Sequence, residues 1–479
     1  MIRDKLQHWL DEIRRDPLAA MDAPPPKRNL GPRPAPRPFS TPSVLDGSYI
    51  TQRDQVRALL CSPPEKRLAR ATIPPEDRPE HLADRMLYTK AAQIDGAGLG
   101  SAKLNESPWS DDYWGLYLGV LGKRYADPAF PSSTDFAENL AYIEQHPVSA
   151  IVASGDQEAI DRLSPSEKYD LLIGDPDAAL TTAMWNEGRR HQTETGKVET
   201  WMGICHGWAA AAYMLGRPRR TVTTLAADGK TRLRFFPSDI KGLASLLWAN
   251  GHVYSRFIGQ RCNDKSPTRD ENGRFLSQNA FDTNPGAFHL VLANQIGVSK
   301  RSFVMDATYD YEVWNQPVYA YECTYFNPMT MASAPTLREA TVARADFQND
   351  RFSRYRGECT AIVGVAMEIH YVVETKPSHA PEDMPARDAI QSATYAYDLE
   401  LDAEGTIVGG EWYQNRHPDF LWTPPKGAHV TTVWDSLAYD IWNTHAIMPL
   451  SWRMAAAAAA KNALPHPKIV DALITLTYL

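Results

Sequence analysis

The chain has 479 residues, 43% of them apolar and 23% charged. That is long enough to bury a sizeable core without disulfide or metal staples, in the ordinary composition range of a soluble globular protein. A formal net charge of −8 argues against nucleic acid as a partner, because that partner selects basic surfaces.

No stretch approaches the 18 or so apolar residues of a membrane-spanning helix; the longest small-apolar run is Met454–Ala460. The opening MIRDKLQHWLDEIRRD is too charged for a secretory core segment, so a cytoplasmic place and a specialised export route both stay open. Cys61, Cys205, Cys262, Cys323 and Cys359 are widely spaced without a C-x-x-C pair, which excludes a cysteine-rich zinc module and a dithiol redox motif. Pairing among Cys61, Cys262, Cys323 and Cys359 is not fixed by spacing.

In chain order, residues 2–20 predict a short amphipathic helix with Leu6, Trp9, Leu10 and Ile13 on one face. Eight prolines follow between Pro24 and Pro42, interleaved with Lys27, Arg28, Arg33 and Arg37 and no acid. That composition reads as an extended spacer, and residues 1–45 as a flexible extension. Residues 46–430 are expected to form the main domain, and 431–479 a helical segment packed on it, with Ala455–Ala460 its strongest signal. Ser107–Trp114 looks like a capped helix start, with Trp114, Tyr117, Leu118 and Leu121 on one face. Ser164-Pro165-Ser166-Glu167 predicts a capping box. Strand patterns dominate from about 285 to 415, including Ala361–Glu374 and Thr394–Leu401, and Tyr397–Gly409 reads as a hairpin. Helices first and strands later predict an α+β fold. The polar loop from Cys262 to Gly273 could hold Ca²⁺ through oxygen ligands but lacks EF-hand spacing, and reads first as a solvated loop. No other metal and no organic cofactor is expected.

The most informative segment is Trp201-Met202-Gly203-Ile204-Cys205-His206-Gly207-Trp208, followed by four alanines. A glycine turn before the cysteine and good helix formers after it place Cys205 at a helix N-terminus, where the dipole favours a thiolate. A thiolate nucleophile needs a base, and the base an orienting group. His289 and Asp306 are the candidates. Read as two strands, a turn centred between Gly297 and Val298 sets His289 directly opposite Asp306, Cβ to Cβ about 4.5–5.5 Å. The alternative for Asp306 is that it ends its strand and caps the following turn. His206 follows the nucleophile by about 100° of helix and suits a structural or groove role. Trp201 and Trp208 flank the site and could shield the sulfur or lend an indole N–H to an oxyanion, with core packing as the alternative. The Cys205 backbone N–H would supply one oxyanion donor.

This order of Cys, His and Asp, with Met305-Asp306-Ala307-Thr308 after the second segment, resembles the transglutaminase-like branch of the papain-like superfamily. Five segments in one order are similar to the transglutaminase elicitors of oomycetes and some bacteria: Ser107–Trp114, Trp201–Trp208, Asn284–His289, Val313–Val318 and Gly409–Trp422. The resemblance implies a papain-like α+β fold and protein-glutamine γ-glutamyltransferase activity. Cys205 would attack a glutamine carboxamide and expel ammonia, His289 oriented by Asp306 would relay protons, and a primary amine would take the acyl group. Partners would be proteins with accessible glutamines and primary-amine donors. Water in place of the amine gives deamidation, and aromatic rings such as Trp314, Tyr319, Tyr321, Trp412, Tyr413 and Trp422 suit a groove that excludes it. A thiol protease or amidase, and a non-catalytic recognition protein with Val313–Val318 as its epitope, are the competing readings. Here VWNQPV continues as Tyr319-Ala320-Tyr321-Glu322, a departure from oomycete members.

Overall fold

The computed structural model describes residues 2–37, 71–260, 267–308, 312–443 and 446–479. Its frame is an eleven-stranded antiparallel sheet. In chain order the strands are β1 (Lys27–Asn29), β2 (Ser101–Lys103), β3 (Val222–Leu225), β4 (Arg232–Phe235), β5 (Arg256–Gly259), β6 (Val304–Asp306), β7 (Asn315–Asn327), β8 (Ala332–Ala334), β9 (Thr341–Ala343), β10 (Ala361–Val373), β11 (Ala389–Leu401), β12 (Ile407–Trp412) and β13 (Phe420–Thr423). The main path runs β1-β11-β10-β7-β6-β13-β5, while β3 and β4 form a separate pair. The helices that position the cores are α1 (Ile2–Arg15), α2 (Pro165–Ile173), α3 (Ala179–Thr195), α4 (Cys205–Met214), α5 (Pro237–Asn250), α6 (Pro285–Val291), α7 (Leu450–Ala460) and α8 (Pro467–Leu476). The fold is mixed helix and antiparallel sheet.

The sheet has apolar residues on both faces, so its strands are nearly continuous in burial. Strand periodicity of two sorts them. Val363, Val365, Met367 and Ile369 of β10 face one core with α6, whereas Val372 joins the core built from α2 to α5, α7 and α8. α4 packs on α5 and on β7, and α6 packs on β11 and β12. Each packed helix therefore belongs to one side of the sheet, which decides the geometry of the site.

Several expectations hold. Leu10 and Ile13 of α1 are buried against Phe326 and Met331, with Leu6 and Trp9 beside them. The Ser164 hydroxyl accepts from Glu167 N, and the Glu167 carboxylate accepts from Ser164 N at 2.8 Å, closing the box at the start of α2. Ala455–Ala460 lies in α7, and Leu401 pairs with Ile407 in the β11–β12 hairpin.

Others are corrected. The N-terminal extension is docked rather than a free spacer over its described part, because Lys27–Asn29 pair with Ala393–Gln391 at the sheet edge; residues 38–45 lie outside the described residues. Ser107–Trp114 starts no α-helix: it runs extended into two short 3₁₀ turns, with Trp114, Gly119 and Val120 at positive φ. Tertiary bonds override the local signal there. Asp388 accepts from the Ser107 hydroxyl and Ser110 N, Lys241 Nζ reaches Ser110 O, and Asp111 accepts from the Trp114 indole. Close backbone approaches seat β12 on its neighbours: a Cβ on Gly409 would lie 2.0 Å from Ala71 O, and one on Gly286 of α6 2.7 Å from Gly409 O.

The segment 284–298 is the largest correction. It is helical, α6 continuing as a π-helical stretch over Leu292–Val298, so no hairpin joins it to β6. Asn284 caps the helix, accepting from Gly286 N at 2.8 Å and Ala287 N at 3.4 Å, and Pro285 occupies the first helical position. Asn294 then ties the π-helical stretch to a segment distant in sequence, accepting from Leu87 N and Tyr88 N.

Candidate active site

Cys205 opens α4, as its glycine turn implies. Gly203 is required because a Cβ there would lie 2.5 Å from Tyr113 O, the same carbonyl that accepts from Ile204 N at 2.8 Å. The sulfur faces β7. Asn315 Nδ2 donates to Sγ at 3.6 Å, and Sγ–H points to Val313 O at 3.8 Å. The orientation of the Asn315 amide follows from Trp422, whose indole N–H can only donate and meets Oδ1 at 2.8 Å. The amide nitrogen is thereby turned to the sulfur. Asn315 is not among the site residues expected from sequence, although its segment is, and Trp422 is expected there only as a ring of the aromatic groove.

Asp306 pairs with Asn315 across β6 and β7, so the two side chains share a face. That face is the sulfur's. Asp306 Oδ1 accepts from Thr308 N at 3.1 Å, the Thr308 hydroxyl at 2.7 Å and Trp314 N at 3.1 Å. It thus caps the turn after its strand, the alternative considered above, and fixes Trp314 in doing so. Glu374, just past β10, is buried and accepts from Gln316 Nε2 at 2.6 Å.

His289 is elsewhere. Its Nδ1 is 2.9 Å from the Tyr397 hydroxyl, and Tyr397 lies opposite Val365 in the core on the α6 face. Met305 belongs to that same core, while Val304 on one side of it belongs to the core that contains Cys205. By strand alternation His289 and Asp306 lie across the sheet from each other. The expected His289–Asp306 pair is absent because the segment bearing His289 is a helix. Trp208 is core packing: it is fully buried, its indole donating to Trp109 O at 2.9 Å. Trp201 is buried in the same core, and His206 is half-buried on α4. Of the expected aromatic groove, Trp314 and Trp422 flank the site. Tyr321 and Trp412 belong to the α6-side core, and Tyr413 to the α1 core.

Burial dominates the electrostatics. It pushes the Cys205 thiol up to about 11; hydrogen bonds from Asn315 oppose the shift, and the nearby carboxylates of Glu374 and Asp306 add to it. About one molecule in ten thousand then carries the thiolate at pH 7. The helix-start placement expected to activate the sulfur does not outweigh its burial. Burial alone brings His289 down to about 4, so its imidazole is neutral.

No group of three or more His, Cys, Asp or Glu side chains that could hold a metal occurs among the described residues. In the polar loop, Asp270 is engaged by Tyr355 and Arg354, and Cys262–Asp264 lie outside the described residues. No helix among the described residues is long and apolar enough to cross a membrane.

The sequence profile of the family described as transglutaminase elicitor matches residues 80–443. The chain belongs to the transglutaminase elicitor family. All five segments of the resemblance fall inside that span. Among solved structures, the GP42 transglutaminase from Phytophthora sojae is similar at 21% identity, over 76% of this chain and 91% of that chain, with a TM-score of 0.46. No curated protein matches the chain by sequence.

Proposed function

We propose that this transglutaminase elicitor is a protein-glutamine γ-glutamyltransferase with a papain-like site and Cys205 as nucleophile. The observation that carries the proposal is the position of Cys205 at the start of α4, its sulfur held by Asn315 of the VWNQPV strand. The thiolate attacks the carboxamide carbon of a substrate glutamine. A C–S bond forms, and the Cys205 backbone N–H donates to the oxyanion. The C–N bond then breaks, and ammonia leaves with the proton released by the thiol. A primary amine attacks the thioester, an isopeptide bond forms and the sulfur leaves.

Asn315 acts by stabilising the sulfur anion through its amide N–H, and Trp422 by keeping that amide from flipping. Asp306 holds the Trp314 backbone. The proton-relay role expected of His289 is not carried over, because its ring lies across the sheet from the sulfur. Trp314, Trp422 and Tyr113 are buried around the site and limit water, whose attack would give deamidation instead.

A recognition role without catalysis has one observation bearing on it. Trp314 to Val318 are buried in β7 and its approach while Val313 is half-buried, which speaks against VWNQPV as a surface epitope of the folded chain. The experiment is incorporation of a fluorescent primary amine into a glutamine-rich protein, wild type beside Cys205→Ala, with ammonia release and peptide cleavage followed in the same tubes. Incorporation lost in the variant is the expected result. Cleavage or ammonia without incorporation makes the chain a hydrolase, and equal background from both proteins overturns catalysis.

A further inference from the structure

The N-terminal segment ends its described course at the candidate site. After β1, Leu30 N donates to Ile390 O at 2.8 Å and Ala35 N to Glu374 O at 2.9 Å, while the Arg28 side chain pairs with Glu368. This path delivers Arg37. Its guanidinium carbon stands 4.3 Å from the centroid of the Trp314 ring, and Nη2 lies 3.5 Å from Glu374 Oε2.

Both partners of that cation are preset. The Trp314 indole donates to Glu312 at 2.9 Å, its backbone N–H is held by Asp306, and Tyr113 packs against the ring at 5.3 Å between centroids. The Glu374 side chain is only 3% exposed and is aimed by Gln316. A fixed indole face beside a buried carboxylate is a cation site, since the ring quadrupole attracts the charge and the carboxylate needs a counterion. It adjoins the sulfur: Asn315 follows Trp314 and touches Sγ, and Glu374 is near enough to raise the Cys205 thiol.

We infer that Trp314 and Glu374 form the subsite for the acyl acceptor, the primary ammonium of a lysine side chain or alkylamine, and that Arg37 occupies it in the resting chain. The inference rests on the acyl-transfer function proposed above and places its second substrate. The ammonium docked there releases one proton to solvent, and the free amine attacks the thioester carbon. The C–N bond forms as the C–S bond breaks, and a second nitrogen proton passes to the sulfur. Arginine suits a self-occupant because its guanidinium keeps its charge and does not become a nucleophile. A lysine at position 37 would be a substrate.

Two measurements on the full chain test this. Binding of cadaverine is read by calorimetry, without any glutamine substrate. Arg37→Ala should bind about tenfold more tightly than wild type, the scale of a partly desolvated cation–π contact, and adding Glu374→Gln should abolish the gain. Equal affinity in all three proteins, or no binding by any, overturns the subsite. In the second measurement Arg37→Lys is incubated with a fluorescent glutamine peptide, and the peptide spanning residue 37 should carry the label. Free cadaverine incorporated while position 37 stays unlabelled also overturns it. Cadaverine bound as expected, with no ammonia released from any glutamine substrate, refutes the transferase function and leaves the cation site standing.

Discussion

Replacing Asn315 by leucine removes the donor to the sulfur at nearly constant volume, and the consequence can be worked through. A hydrogen bond to a charged group is worth about 1.5–3 kcal/mol, and the long 3.6 Å contact belongs at the lower end. Losing about 1.5 kcal/mol of thiolate stabilisation raises the thiol pKa by about one unit. Alkylation at fixed pH below that pKa then falls about threefold to fourfold, because the more basic thiolate is also more nucleophilic, with a Brønsted slope of about 0.4–0.5. Asn315→Asp keeps the shape and the Trp422 bond but sets a carboxylate against the sulfur. At an effective dielectric of about 20, a unit charge 3.6 Å away costs the thiolate up to about 4–5 kcal/mol, so alkylation should fall well over tenfold. The assay is the iodoacetamide rate at Cys205 between pH 7 and 9, read by mass spectrometry with Cys323 and Cys359 as internal references. The expected order is wild type, then Asn315→Leu, then Asn315→Asp. A leucine variant as fast as wild type, an aspartate variant faster than the leucine one, or a wild-type plateau below pH 8 would refute the account of the sulfur's environment.

Burial depresses the His289 pKa from 6.5 to about 4, so the unfolded chain binds this proton more readily than the folded one. The stability that His289 contributes is present above about pH 6.5 and lost as pH falls towards 4, up to about 3 kcal/mol. His289→Gln should flatten the denaturation midpoint against pH in that window, and an unchanged slope would count against it. Lys168 and Asp239 form an ion pair at 2.7 Å with both side chains fully buried. Lys168→Met should therefore cost about 3–5 kcal/mol in urea unfolding by stranding the carboxylate, and Lys168→Met with Asp239→Leu should recover part of it. Gly409→Ala puts a Cβ 2.0 Å from Ala71 O, which backbone cannot yield cheaply. A loss of about 1–3 kcal/mol is expected from chemical denaturation, and none would mean that the Ala71 contact is looser than described.

The elements with strong local signals were legible in the sequence. Ser164, Pro165 and Glu167 specify the start of α2 among themselves, and the small residues around Cys205 specify a turn followed by a helix. Leu10 and Ile13 fix which side of α1 is buried. The segment from Asn284 to Val298 was misjudged because an apolar run of this length reads equally as strand or helix. The deciding signal was present in Asn284-Pro285, a cap followed by proline at the first helical position, and strand expectation for the region overrode it.

By itself the sequence determined the family, the mixed α and β content and the nucleophile candidate at its helix start, since each depends on residues close together in the chain. Tertiary structure decided which candidates meet. Strand alternation and the sheet order put Asp306 and Asn315 on the sulfur's face, and the packing of α6 put His289 on the other. It also folded the Pro/Arg segment back onto the sheet edge, bringing Arg37 to Glu374 across more than three hundred residues of chain. No local pattern encodes such a contact, because pairing and burial are settled between elements distant in sequence.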